Sequence, residues 1–212
     1  MSNEGYSVRI ATDCDKDSVV ELLRRSFVTE EPLNSQAPAP MDPSELYSLK
    51  FLGSGLSLVA AAGDGSVAGV CINTEGTPAL YADRSRTKQT STNPHTRKVL
   101  TLLDEAEEAV GVWGRYGVDR FFDVRILAVR RSARGQGLGK ALVRRSLQIA
   151  RERGYQLVHM ECTGFYSARI AEQLGMECVF RIAYAEYKGD DGNPVFDVPA
   201  PHTELKLFLL KL

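Results

Sequence analysis

The chain has 212 residues, with 26 lysines and arginines against 27 aspartates and glutamates, for a formal charge of −1. Its length suits one domain, residues 1–212, burying roughly 70% of its unfolded-chain surface, and 43% apolar with 25% charged residues is an ordinary globular balance that needs no metal or disulfide. A near-neutral chain has no general field for nucleic acid or an anionic membrane, so neither is expected as a partner and any basic surface must be local.

Val8-Arg9-Ile10 is a short strand signal, and Thr12 to Asp15 has the T-x-x-D form of a capping box. Val19, Val20, Leu22, Leu23 and Phe27 recur at helical spacing and mark a first amphipathic helix. Val28 to Met41, with Pro32, Pro38 and Pro40, reads as a loop. Asp42-Pro43-Ser44-Glu45 restarts a helix, with Asp42 as N-cap, that stops near Gly53. Leu56 to Ala62 and Val67 to Thr74 are β-prone runs joined by Gly63-Asp64-Gly65-Ser66, an antiparallel hairpin. Arg84 to Arg97 is polar and nearly free of apolar residues, which predicts a mobile loop.

Val99 to Val112 regains a helical pattern, Phe121 to Val129 reads as a buried strand, and Leu138 to Arg153 as a helix ended by Gly154. Leu157 to Cys162 is a strand, Ala168 to Leu174 a short helix closed by Gly175, and Cys178 to Tyr187 a strand. Glu204 to Leu212 is a last apolar run after a Pro-rich bend. The alternation implies an α/β protein, and the hairpin makes its sheet mixed.

Cys14, Cys71, Cys162 and Cys178 form no C-x-x-C pair, which argues against a zinc site or disulfide framework and for reduced, mostly buried thiols. His95, His159 and His202 have no Cys or carboxylate at metal-binding spacing, so no metal is expected and structural or surface roles are. The N-terminus lacks the apolar region of a signal peptide, and no run approaches the ~20 apolar residues of a membrane span. A cytoplasmic location is the expectation.

The most informative stretch is Phe121-Phe-Asp-Val-Arg-Ile-Leu-Ala-Val129, followed by Arg130-Arg-Ser-Ala-Arg134-Gly-Gln-Gly-Leu-Gly-Lys140. A strand runs into a Gly-rich turn that opens a helix. Gly135, Gly137 and Gly139 allow close backbone approach, and the N–H groups at the helix start favour a phosphate there. Arg130, Arg131, Arg134, Lys140, Arg144 and Arg145 add positive charge, enough to hold a pyrophosphate. The loop has G-x-G-x-G where a Rossmann fingerprint needs G-x-G-x-x-G, and Arg134 and Ala141 stand where a P-loop needs Gly and Ser or Thr.

Arg134-Gly135-Gln136-Gly137-Leu138-Gly139 instead resembles the [QR]-x-x-G-x-[GA] acyl-CoA motif of the GNAT superfamily of N-acetyltransferases. The resemblance extends over Arg9-Ile-Ala-Thr12, the hairpin, and Tyr166 to Gly175. It implies an α/β fold with a mixed, mostly antiparallel central sheet of about seven strands flanked by helices. Glu30-Glu31-Pro32-Leu33-Asn34 is similar to the [DE]-E-P-[LM]-[NS] signature of insect-type arylalkylamine N-acetyltransferases, and Thr163-Gly-Phe-Tyr-Ser-Ala168 to their Ser-rich segment.

By that resemblance acetyl-CoA is the co-substrate, held by Leu127, Ala128, Val129, Arg134, Gly135, Gln136, Gly137, Leu138, Gly139, Lys140 and Ser167. Glu31 is the implied catalytic base, Ser167 the implied serine of the site, and Thr163 stands where relatives often carry a second serine. The partner is a small-molecule amine, and the protein a monomer. An alkylamine with a pKa near 10.4 attacks a thioester only after losing its proton, which is the work of Glu31. The departing thiolate takes a proton or hydrogen bond from Ser167 or Tyr166. Phe27, Tyr47, Phe51, Tyr184 and Tyr187 either line the amine pocket or pack the core. The resemblance favours dopamine, tyramine, octopamine, serotonin or tryptamine. Agmatine or polyamine acetylation, a non-catalytic acyl-CoA-binding module and lysine acetylation of proteins are the competing readings.

Overall fold

A computed structural model of the protein describes residues 2–3, 5–38 and 41–212. In chain order they form β1 (Ser2–Asn3), β2 (Tyr6–Ile10), α1 (Lys16–Ser26), β3 (Leu58–Ala62), β4 (Val67–Gly76), α2 (Pro78–Thr90), α3 (Pro94–Val110) and α4 (Val112–Tyr116). They continue with β5 (Phe121–Val129), α5 (Leu138–Glu152), β6 (Leu157–Cys162), α6 (Phe165–Gln173), β7 (Glu177–Ala183) and β8 (Glu204–Lys211). The strands make one sheet in the order β1-β2-β3-β4-β5-β6-β8-β7. Every neighbouring pair is antiparallel except β5 and β6. The expected mixed, mostly antiparallel sheet is therefore present, with the two-residue β1 added at its edge.

Burial of two sheet faces sets the layers. Leu138, Leu142, Val143 and Leu147 lie on one stripe of α5 and pack with Leu58, Cys71, Phe122 and Val158 from the sheet. On the opposite face Val19, Leu22 and Leu23 of α1 cover Val59, Val70, Ile72 and Ile126. Strands β4 and β5 are covered on both sides, which is why their sequences read as nearly continuous apolar runs.

Two irregularities open the sheet at its centre. Ile72 pairs with Ile126 and Asn73 with Val124, so Arg125 is an extra residue that bulges β5. The parallel ladder between β5 and β6 then ends at Val124 and Met160, although β5 runs on to Val129. Beyond that point the two strands part and leave a wedge. Asn73 braces the bulge from behind, its amide donating to Leu56 O and Ser146 Oγ of α5, each at 2.9 Å.

Several expectations are corrected. The restart after Asp42 is two 3₁₀ turns, Pro43–Glu45 and Tyr47–Phe51. Asp42 does cap Ser44 N–H at 2.9 Å, but Leu46 is extended (φ −60°, ψ 116°) and interrupts the helix. The segment 84–97, expected as a mobile loop, lies mostly in α2 and the start of α3. Thr77 and Asn93 cap these helices, each followed by Pro at the first turn, and Arg84 is 2% exposed. The buried side of α2 is held by ion pairs, so no apolar stripe announces it. Strand β7 ends at Ala183, before the expected Tyr187, and α6 begins at Phe165, before Ala168. All four cysteines are free; Cys71 and Cys162 are buried, whereas Cys14 and Cys178 are exposed. No helix among the described residues is long and apolar enough to cross a membrane.

Candidate active site

The wedge between β5 and β6 opens into a cavity of about 870 Å³, bounded by the loop after α1, the inner faces of α2 and α3, and the starts of α5 and α6. Glu31, Thr163, Tyr166 and Ser167 all line it, as do Leu127–Val129, Arg134, Gly135 and Gly137–Lys140. Glu31 and Thr163, 132 positions apart in sequence, thus meet in one place.

Glu31 sits where α1 gives way to the loop. Its Oε1 accepts from Thr163 Oγ1 at 2.6 Å and Leu33 N–H at 3.2 Å, and its Oε2 accepts from Asn34 N–H at 2.7 Å. Loss of water pushes its pKa above the usual carboxylate range, and those hydrogen bonds only partly oppose the rise. Thr163 is fixed from below, its carbonyl accepting from Tyr184 OH at 2.6 Å. Gly164 permits the crowding here, since a Cβ would lie 3.1 Å from His202 Nδ1 and 3.2 Å from Pro32 Cγ.

Ser167, in the first turn of α6, donates to Gly164 O at 2.9 Å. Tyr166 is 63% exposed at the rim and meets the His202 ring edge-on, 5.6 Å between centroids. His202 Nδ1 accepts from Phe165 N–H at 3.1 Å, which leaves the proton of the neutral ring on Nε2. Its pKa is lowered by burial.

On the opposite side, Gly137 (φ 75°) is the N-cap residue of α5, and no side chain caps its first turn. Gly135 is also left-handed, at φ 77°. Such a bare helix start is an anion cradle. Arg134 donates from Nε to Val129 O at 3.1 Å and pairs with Glu30 across the cleft, while Lys140 Nζ reaches Gln173 Oε1 at 3.0 Å. Arg130 and Arg145 are turned elsewhere, to Val67 O at 2.6 Å and Glu152 at 2.7 Å. Because Val129 O points away from β4, strand alternation gives Leu127 and Val129 amides that face the wedge, with that of Ala128 directed to β4.

A buried ionic cluster backs the far wall. Arg84 binds Asp104 and Glu161, each at 3.0 Å, and Arg125 binds Asp123 at 2.8 Å and Ser48 Oγ at 3.1 Å. His159, fully buried, lies between Asp123 (2.9 Å) and Glu107 (2.5 Å). Burial alone would lower its pKa, but the two carboxylates outweigh burial and push it up to about 10. Of the aromatic candidates, Phe27 and Tyr47 line the cavity. Phe51 packs with the α1 core, Tyr187 stacks on Phe196, and Tyr184 supports Thr163. His202, Arg84, Arg125 and Glu161 are wall residues that the sequence reading did not single out. A charge inside an otherwise buried strand was the available signal, for Glu161 in Leu157–Cys162 and for Arg125 in Phe121–Val129.

The model of the Acetyltransferase (GNAT) family matches residues 17–176. The chain belongs to the GNAT family. Its structure superposes on arylalkylamine N-acetyltransferase 2 from Aedes aegypti with a TM-score of 0.90 and 29% identity, covering 97% of this chain and 98% of that one. A mosquito arylalkylamine N-acetyltransferase-like 5b matches at 0.87 and 26%, covering 98% and 100%. The polyamine N-acetyltransferase of Drosophila melanogaster, which forms N-acetylagmatine, matches at 0.86 and 26%, again over 98% and 100%. GNAT enzymes use acetyl-CoA as co-substrate.

Proposed function

We propose that this GNAT protein acetylates the primary amine of small arylalkylamines such as tyramine, dopamine, octopamine, serotonin or tryptamine by direct attack in a ternary complex. The observation that carries this reading is that Glu31 and the glycine loop open on the same cavity. Acetyl-CoA supplies an acetyl group activated as a thioester. Gly135, Gly137 and the first turn of α5 hold its pyrophosphate, with Arg134 and Lys140 alongside, and Gln136, Leu138 and Gly139 complete the loop. Glu31 takes the proton from the ammonium, directly or through water, with Thr163 orienting its carboxylate. The Leu127 and Val129 amides answer the negative charge that develops on the carbonyl oxygen. Ser167 or Tyr166 supplies the proton for the leaving sulfur.

Apolar wall residues favour an aromatic amine: Phe27, Leu33, Val99, Leu100, Leu103 and Met160 face the same space. The carboxylates around that wall are charge-paired, Glu161 and Asp104 with Arg84 and Asp123 with Arg125, so no isolated anion waits there for a second cation on the amine. A thiol-release assay with acetyl-CoA across tyramine, dopamine, tryptamine, agmatine, spermidine and a lysine peptide tests the reading. Aromatic amines are expected to lead; a selective response to agmatine or spermidine replaces the substrate class and keeps the mechanism.

The loop makes its own prediction. Gly137→Ala places a Cβ at φ 75°, a strain of ~1–2 kcal/mol for a side-chain-bearing residue. CoA affinity measured by calorimetry is expected to fall about tenfold. An unchanged affinity would place the pyrophosphate elsewhere.

A further inference from the structure

Among the described residues, four buried side-chain atoms have no hydrogen-bond partner: Arg84 Nη2, Glu107 Oε1, His159 Nε2 and Glu161 Oε1. Glu107 Oε1 and His159 Nε2 form an ion pair with each other at 2.5 Å. The two that remain, on Arg84 and Glu161, belong to residues that line the cavity. A buried carboxylate oxygen without a donor costs free energy, and a bound molecule that brings a donor removes that cost.

The position of Glu161 along β6 sets what such a molecule looks like. Glu161 lies in β6 and Thr163 just past its end; both line the cavity while Cys162 between them packs into the core, so their side chains leave the same side of the chain about 6–7 Å apart. Thr163 holds Glu31, which marks the reacting end. The interval has room for a six-membered ring between the reacting nitrogen and a distal substituent. Arg84 Nη1 lies 3.0 Å from Glu161 Oε2, and Arg125 faces the same space. A second cation on the amine would meet two guanidinium groups, whereas a neutral hydroxyl would not.

We propose that Glu161 is a specificity-determining residue that accepts a hydrogen bond from a ring hydroxyl at the far end of the amine, with Arg84 fixing its carboxylate. This rests on the arylalkylamine reading above. The test is steady-state acetylation of phenethylamine, tyramine and 4-methoxyphenethylamine, which offer respectively no distal polar group, a donor, and an acceptor alone. The wild-type protein is expected to prefer tyramine over its methoxy analogue. In Glu161→Gln, which keeps the size and can still accept from Arg84, that preference in kcat/KM is expected to fall about tenfold, the worth of a hydrogen bond to a charged group. Phenethylamine, which has no distal donor, is expected to lose least, and an unchanged CoA affinity by calorimetry reports that the variant is folded. A tyramine preference that survives in the variant overturns the proposal, as does a parallel loss for all three amines, which would make Glu161 only a structural partner of Arg84. If the wild-type protein turns over none of the three, the arylalkylamine reading itself fails, and this assignment with it.

Discussion

Replacing Glu31 by Gln is expected to lower kcat/KM for a primary amine by about 10²–10⁴ at neutral pH, the range of a lost general base. Gln preserves the length of the side chain and one carbonyl oxygen, so Leu33 or Asn34 N–H keeps an acceptor while the proton acceptor is lost. Raising the pH should restore part of the rate, because an amine with a pKa near 10.4 supplies more of its free base with each unit. In the wild-type protein kcat/KM should fall as pH drops through the Glu31 pKa, and burial places that limb above the ordinary carboxylate value. CoA affinity should not change, as Glu31 lies across the cavity from the glycine loop. Unaltered turnover in the variant would leave Glu31 as a cap of the loop at 33–36. Tight CoA binding with no turnover by the wild-type protein would favour a non-catalytic acyl-CoA-binding module.

His159→Leu is expected to destabilise the fold by ~3–5 kcal/mol, because it takes the buried cation from Glu107 and leaves Asp123 with Arg125 alone. For a chain of this size Tm should drop on the order of 10 °C, readable by circular dichroism. The same residue sets a pH dependence. Its pKa rises from 6.5 to about 10 on folding, so its contribution is complete below 6.5 and is lost as pH climbs through 10. Asp123 acts at the other end: burial raises its pKa, but Arg125 and His159 outweigh burial and bring it to about 2, so its share is present above 3.8 and is lost as pH falls through 2. A variant that melts like the wild type, or a wild-type Tm that is flat from neutral to alkaline pH, would remove this cluster from the account of stability.

The strands and the glycine loop were legible because their signals are local. Phe121–Val129 is an apolar run interrupted by Asp123 and Arg125, and Gly135, Gly137 and Gly139 carry their spacing within one turn. Pairs such as Glu31 with Thr163 became legible through a family pattern, since nothing local links residues 132 positions apart. Helix α2 stayed hidden because Arg84, Asp104 and Glu161 replace the apolar stripe with ion pairs formed only after three elements meet. Its cap at Thr77-Pro78, and that of α3 at Asn93-Pro94, were present in the sequence, but the polar stretch between them masked both. The charged wall was hidden for the same reason.

The placement of β8 carries a consequence for biogenesis. Residues 204–211 are the last of the strands in chain order, yet they lie inside the sheet, between β6 and β7. While the ribosome is still adding them, β6 offers an unpaired edge next to the wedge, and β7 has no neighbour at all. Bare strand edges of this kind recruit other chains. A nascent polypeptide that stalls before residue 204 therefore presents two such edges at once, and protection by a chaperone matters most in that interval.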